Sequence, residues 1–124
     1  MKARKKILIV EDDKAVIKPL AAVLRKKKLE LLIAADGEAG LEMAQKEAPD
    51  LILLDIILPK MNGFEVLEKI RLNRKTKRIP VIILSNLARE GEIEKGISLG
   101  ADEYFVKTNF SLAKLMGLVE GYLE

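Results

Sequence analysis

Histidine and cysteine are both absent from the 124 residues of this chain. Without histidine there is no serine–histidine hydrolase centre, no imidazole metal site and no phosphohistidine on the chain itself. Without cysteine there is no disulfide framework and no thiolate metal site. Aromatic residues make up 4% of the sequence, and none is interleaved with the basic segments Arg25-Lys26-Lys27-Lys28 and Arg71–Arg78. Those segments therefore read as solvated loop and helix ends, and direct nucleic-acid binding is not expected. No apolar run approaches the roughly 20 residues of a transmembrane helix, so no membrane insertion is expected. Lys2, Arg4, Lys5 and Lys6 lead straight into a short strand-like run, and no cleavage site follows, so no secretory signal is read. Linkers, repeats and low-complexity segments are also lacking. The expectation is one cytoplasmic domain over residues 1–124, of ordinary apolar content and formal charge +3, long enough for a real core.

What is present is an alternation. Lys6–Val10 is a short apolar run that stops at Glu11-Asp12-Asp13, and Ala15, Val16, Leu20, Val23 and Leu24 then recur at helical spacing. Asp13 is the expected N-cap, because aspartate accepts bonds from the free amides of a first turn. Pro19, beyond that turn, predicts a bend. Leu29–Ala35 gives a second strand, less apolar and so placed at an edge. Glu38–Glu47 follows as a helix with Ala39, Leu41, Met43 and Ala44 as its buried set. Leu51–Leu54 is a strand apolar on both faces, and Phe64, Val66, Leu67 and Ile70 mark the next helix. Val81–Leu84 is another buried strand. Leu87–Leu99 is helical by pattern, although Gly91 and Gly96 each cost about 1 kcal/mol relative to alanine. Glu103–Val106 is the fifth strand, and Ser111 caps a last helix bearing Leu112, Leu115, Met116, Val119 and Leu123.

Five β-α repeats with short connections predict an α/β fold: a five-stranded parallel sheet covered by helices on both faces. The expected strand order is 2-1-3-4-5, the flavodoxin-like doubly wound arrangement, whose switch point lies between the first and third strands. A TIM barrel needs about twice this length.

Asp55 interrupts the third apolar run just before Pro59 and Asn62-Gly63 turn the chain. A carboxylate there either needs a partner or lies at the open mouth of the strand because it does chemistry. The topology favours the second. Ligands in open parallel sheets sit outside the carboxyl ends of the strands, and those ends carry Glu11, Asp12, Asp55, Ser85 and Lys107. Three carboxylates in one crevice repel unless a cation joins them. A donor set of oxygens alone suits a hard ion such as Mg²⁺, which takes one or two carboxylates, water and phosphate oxygens. Ser85 and Lys107 would face a bound anion. The constellation is that of a phosphoryl-transfer site, with Asp55 placed to become an aspartyl phosphate.

At these residues the chain resembles the receiver domain of two-component response regulators, including single-domain members such as the chemotaxis response regulator. The resemblance covers essentially the whole chain. It rests on Val10-Glu11-Asp12, the Asp55–Gly63 loop, Ser85, and Gly100-Ala101-Asp102-Glu103-Tyr104-Phe105-Val106-Lys107. Ser85 and Lys107 follow Asp55 by 30 and 52 positions, as in that family. The resemblance implies Asp55 as phosphoacceptor and Asp12 as a direct Mg²⁺ ligand. Glu11 would ligate directly or through water, and the backbone carbonyl of Ile57 would be a further ligand. Ser85 would bond one phosphoryl oxygen and Lys107 another. Tyr104 matches the aromatic that swings inward in the active state.

The implied partners are a histidine kinase or phosphotransfer protein upstream and a target protein downstream. The signal is expected to leave through the face of the last two helices and the strand between them. The helix between Leu87 and Leu99 is the expected bistable element. Two positions depart from the family. Thr108 stands where proline follows the lysine, so a trans peptide is expected there, and Gly96 replaces a common alanine, which should loosen its helix. A haloacid-dehalogenase-type phosphatase, the rival enzyme reading, wants an acid where Ile57 stands. A scaffold that has lost signalling would lack a site residue, and none is lacking.

Overall fold

The computed structural model describes residues 4–86, 89–107 and 111–123. Its elements follow in strict alternation: β1 (Lys6–Val10), α1 (Lys14–Lys26), β2 (Glu30–Ala34), α2 (Gly37–Glu47), β3 (Leu51–Leu54), α3 (Gly63–Leu72), β4 (Val81–Ser85), α4 (Glu90–Ser98), β5 (Glu103–Val106) and α5 (Leu112–Leu123). The sheet order is β2-β1-β3-β4-β5, and every pair is parallel. This is the doubly wound arrangement that the pattern predicts.

Successive side chains of a strand point to opposite faces, and the core divides accordingly. Ile7, Ile9, Leu51, Leu53, Ile82 and Leu84 pack under α1 and α5, through Leu20, Leu24, Leu115, Met116 and Val119. Leu8, Val10, Ile52, Leu54, Val81 and Ile83 face α2 and α3. Strands β1, β3 and β4 are thus buried on both sides, which is why they read as unbroken apolar runs. Strand β2 is half-buried, as an edge should be.

Asp13 and Ser111 cap their helices as expected, and Asp36 and Asn62 cap two more. Asp13 accepts from the Ala15 amide at 2.9 Å, Asp36 from Ala39 at 2.7 Å, and Asn62 from Glu65 at 3.0 Å. Ser111 accepts from Lys114 at 3.3 Å. At the opposite end of the sheet, Arg71 ties three segments together. Its guanidinium donates to the Gly100 carbonyl at 2.8 and 2.9 Å, to Ile79 at 2.7 Å and to the Asp102 carboxylate at 3.1 Å. Burial pulls the Arg71 pKa down, and Asp102 opposes that pull.

Helix α1 includes Pro19. Other details differ from expectation. In α2 the buried residues are Gly37, Gly40 and Ala44, while Ala39, Leu41 and Met43 are only half-buried. A Cβ on Gly40 would lie 2.6 Å from a Val10 methyl, so the helix seats on β1 through a glycine that apolar periodicity passes over. Helix α4 starts at Glu90 after an N-cap, Arg89, that makes no side-chain bond; Leu87 and Ala88 lie outside the described residues. Gly96 is buried, and a Cβ there would meet Ile83 at 2.7 Å and the Tyr104 ring at 3.0 Å. Gly91 has open space around it. The peptide between Lys107 and Thr108 lies outside the described residues.

Candidate functional site

The sheet brings the polar strand ends together by register. Val10 pairs with Leu54 across β1 and β3, and the Asp55 amide donates to the Val10 carbonyl at 3.0 Å. Glu11 and Asp55, each one residue past its strand, therefore stand side by side. One carboxylate oxygen from each of Glu11, Asp12 and Asp55 lies within 4.8 Å of the others. Glu11 and Asp55 are buried, and Asp12 is exposed at the mouth.

Lys107, the residue after β5, reaches into this cluster. Its Nζ is 2.7 Å from Glu11 Oε1 and 3.2 Å from Asp55 Oδ2. The sequence pattern placed Lys107 against a bound anion; the structure also makes it the counter-ion of two carboxylates. The remaining oxygens are engaged locally. Glu11 Oε2 accepts from the Asp13 amide at 3.1 Å, and Asp55 Oδ1 from the Ile56 amide at 2.8 Å.

Burial raises the Glu11 pKa, with the Asp55 charge adding to it; the hydrogen bond from Lys107 works against both and does not cancel them. For Lys107 burial acts downward, but the bond to Glu11 and the Asp55 charge outweigh it, so its pKa is raised. One ammonium shared by two buried acids holds its proton tightly and leaves one of those acids under-compensated.

Ser85 ends β4 and is fully buried. Burial raises the Tyr104 pKa, with Ser85 opposing it and the Glu92 and Asp55 charges adding to it. Tyr104 pairs with Ile83 in the sheet, and its ring lies against Gly96 of α4.

Ile57 is 63% exposed, and among the described residues its carbonyl accepts no hydrogen bond. Exposed Asp12, buried Asp55 and this free carbonyl are all oxygen donors, so the residues present fit a hard divalent cation and offer nothing to a soft one. Sequence reasoning gathered every one of these side chains at one end of the sheet. It missed the Lys107–Glu11 pair and the contacts of Asp36, Gly37 and Lys60 with the loop; an Asp-Gly turn gave no signal beyond a helix start.

This fold and this acidic mouth define a response regulator receiver domain, and the chain belongs to that family, whose model matches residues 7–120. It is 41% identical over 119 residues to the transcriptional activator protein PfeR of Pseudomonas aeruginosa, covering 96% of this chain and 38% of PfeR. It is similar to the Mn²⁺-bound form of response regulator Rcp1, with TM-score 0.81 and 37% identity over 94% of this chain and 90% of that one. It is similar also to a CheY-like receiver domain protein of Methanospirillum hungatei, with TM-score 0.89 and 31% identity over 98% and 94% of the two chains. The chain spans half or less of the length of the curated relatives it matches. No described helix is long and apolar enough to cross a membrane.

Proposed function

We propose that this receiver domain is a phosphorylation switch of a two-component system or phosphorelay, with Asp55 as phosphoacceptor. The observation that carries the reading is the cluster of three carboxylate oxygens within 4.8 Å, with Lys107 bridging two of the acids. Asp55 comes from a strand buried on both faces, so its carboxylate is held in place before any ligand arrives. An Asp55 oxygen attacks the phosphorus of a kinase or phosphotransfer-protein phosphohistidine. The P–N bond breaks, and its electron pair stays with the imidazole.

Asp12, Asp55, Glu11 and the Ile57 carbonyl would hold Mg²⁺, which supplies Lewis-acid neutralisation of the transferring oxygens. The Mn²⁺-bound form of the similar protein Rcp1 supports a divalent cation in this reading. Lys107 follows the charge. As the phosphoryl group builds on Asp55, its ammonium pairs with a phosphoryl oxygen. Ser85 would donate to another oxygen by moving toward the phosphoryl group. The Tyr104 ring already lies against Gly96 of α4. The switch is therefore a movement of Ser85 that frees space for Tyr104, followed by a shift of α4.

The exit is the face of α4, β5 and α5, read by a downstream protein in the cytoplasm. The domain itself contacts no nucleic acid in this reading and inserts in no membrane. Hydrolysis is limited to slow self-dephosphorylation, because Ile57 stands where a phosphatase would place a general acid. Incubation with a small phosphodonor and Mg²⁺, followed by intact mass, tests the reading. One phosphoryl group on the wild type and none on Asp55→Asn is the expected result. An unmodified wild type, or equal modification of both, removes it.

A further inference from the structure

The loop that follows Asp55 contains a strained turn. The Met61 amide donates to the Pro59 carbonyl at 2.8 Å, closing a three-residue turn over Lys60, whose φ is +68°. A turn of this kind with a positive central φ is rare, and a side chain at its centre makes it worse. Such a conformation persists only where its surroundings over-determine it.

The surroundings are helix α2. The Gly37 amide donates to the same Pro59 carbonyl at 3.2 Å. A Cβ on Gly37 would run into the Met61 carbonyl oxygen and lie 2.8 Å from its carbon. Those are backbone atoms, which cannot rotate aside. Asp36 Oδ2 is 3.9 Å from Lys60 Nζ, but Lys60 is well exposed, so the backbone contact and not the ion pair forms the brace. At the other end of the loop, the Gly63 amide donates to Ile56 at 2.7 Å. A Cβ on Gly63 would strike the Asp55 carbonyl. Between these two grips stands Ile57, whose side chain is 63% exposed and not anchored in the core.

We infer that Gly37 and Lys60 are positioning residues: the strained turn at Pro59-Lys60-Met61, braced against the start of α2, fixes the backbone that presents the Ile57 carbonyl beside Asp55. The inference rests on the metal-assisted reading above and adds a control on it, since any movement of α2 along β1 is passed to the metal mouth.

The test is calorimetric titration of the full chain with Mg²⁺, paired with thermal denaturation in chelator. Lys60→Val, a β-branched residue that resists a positive φ, should weaken Mg²⁺ binding on the order of tenfold. Lys60→Asn, which tolerates a positive φ, should keep affinity near wild type. Gly37→Ala should weaken Mg²⁺ binding by tenfold or more; should it fail to fold, the two Lys60 variants decide alone. Wild-type affinity in both Lys60→Val and Gly37→Ala overturns the inference while leaving the phosphoacceptor reading intact. So does an affinity loss in Lys60→Val that Lys60→Asn shares. A wild type that takes up no Mg²⁺ overturns both.

Discussion

Lys107 Nζ lies 2.7 Å from Glu11 Oε1, a closer approach than its 3.2 Å contact with Asp55. The lysine therefore neutralises the acid next to the proposed nucleophile as well as the nucleophile itself. A divalent cation entering the same cluster would compete with it for Glu11.

Replacing Lys107 with methionine should separate these two duties. Mg²⁺ affinity should hold or rise, because a competing cation is gone. Phosphorylation from a small donor should slow on the order of a hundredfold, the usual cost of losing a donor to transition-state charge. The chelated protein should lose roughly 1–3 kcal/mol, since buried Glu11 and Asp55 are left without their counter-ion. Calorimetry, phosphorylation kinetics and denaturant melts read the three effects.

The raised pKa of Glu11 gives stability a pH dependence of defined sign. In the folded metal-free state Glu11 binds its proton more tightly than in the unfolded chain. Its contribution is therefore fully present below the unfolded value of 4.5 and lost as pH rises through the raised folded value. Glu11→Gln should flatten the stability profile on the acidic side of neutrality. Lys107, also raised from 10.5, loses its contribution only above that value, in strongly alkaline solution. Denaturant midpoints in chelator across both windows check the assignment.

The two glycines of α4 should respond in opposite ways to alanine. Gly91→Ala meets nothing within 4 Å and should stabilise the helix by about 0.5–1 kcal/mol. Gly96→Ala meets Ile83 at 2.7 Å and Tyr104 at 3.0 Å. It should forfeit that gain and displace the Tyr104 ring, changing the Tyr104 resonances while leaving Mg²⁺ affinity unchanged. A Gly96→Ala protein with unmoved Tyr104 resonances would contradict the proposed contact between Tyr104 and α4.

Arg71→Ala should destabilise the chain by about 2–4 kcal/mol, because several charge-assisted bonds to backbone carbonyls are lost at once. Arg71→Lys should recover little, since a single ammonium cannot span Ile79, Gly100 and Asp102 as a planar fork does. Both variants should bind Mg²⁺ as wild type does, because Arg71 acts at the end of the sheet away from the acids. Melts and calorimetry together separate stability from site chemistry.

Much of the fold was legible in the sequence for local reasons. Apolar runs of strand length, helical recurrences between them, and Asp13 and Ser111 at helix starts each act over a few residues. The strict alternation of those units leaves few ways to close a sheet. The site was legible because the strand ends of a doubly wound sheet must converge, which brings Glu11, Asp12, Asp55, Ser85 and Lys107 to one end.

Contacts between segments far apart in sequence were decided only by the tertiary structure. Gly40 against Val10, Gly96 against Tyr104 and Gly37 against Met61 are close approaches in which the missing Cβ is the whole signal. A sequence shows a glycine but not what presses on it. The Lys107–Glu11 pair is of the same kind: hydropathy places both residues at the mouth, but only the register of β1, β3, β4 and β5 brings ammonium and carboxylate to 2.7 Å. Sequence alone thus determined the elements and the chemistry available to them. Packing decided which charges meet, and why the loop after Asp55 keeps a shape that an isolated chain would not adopt.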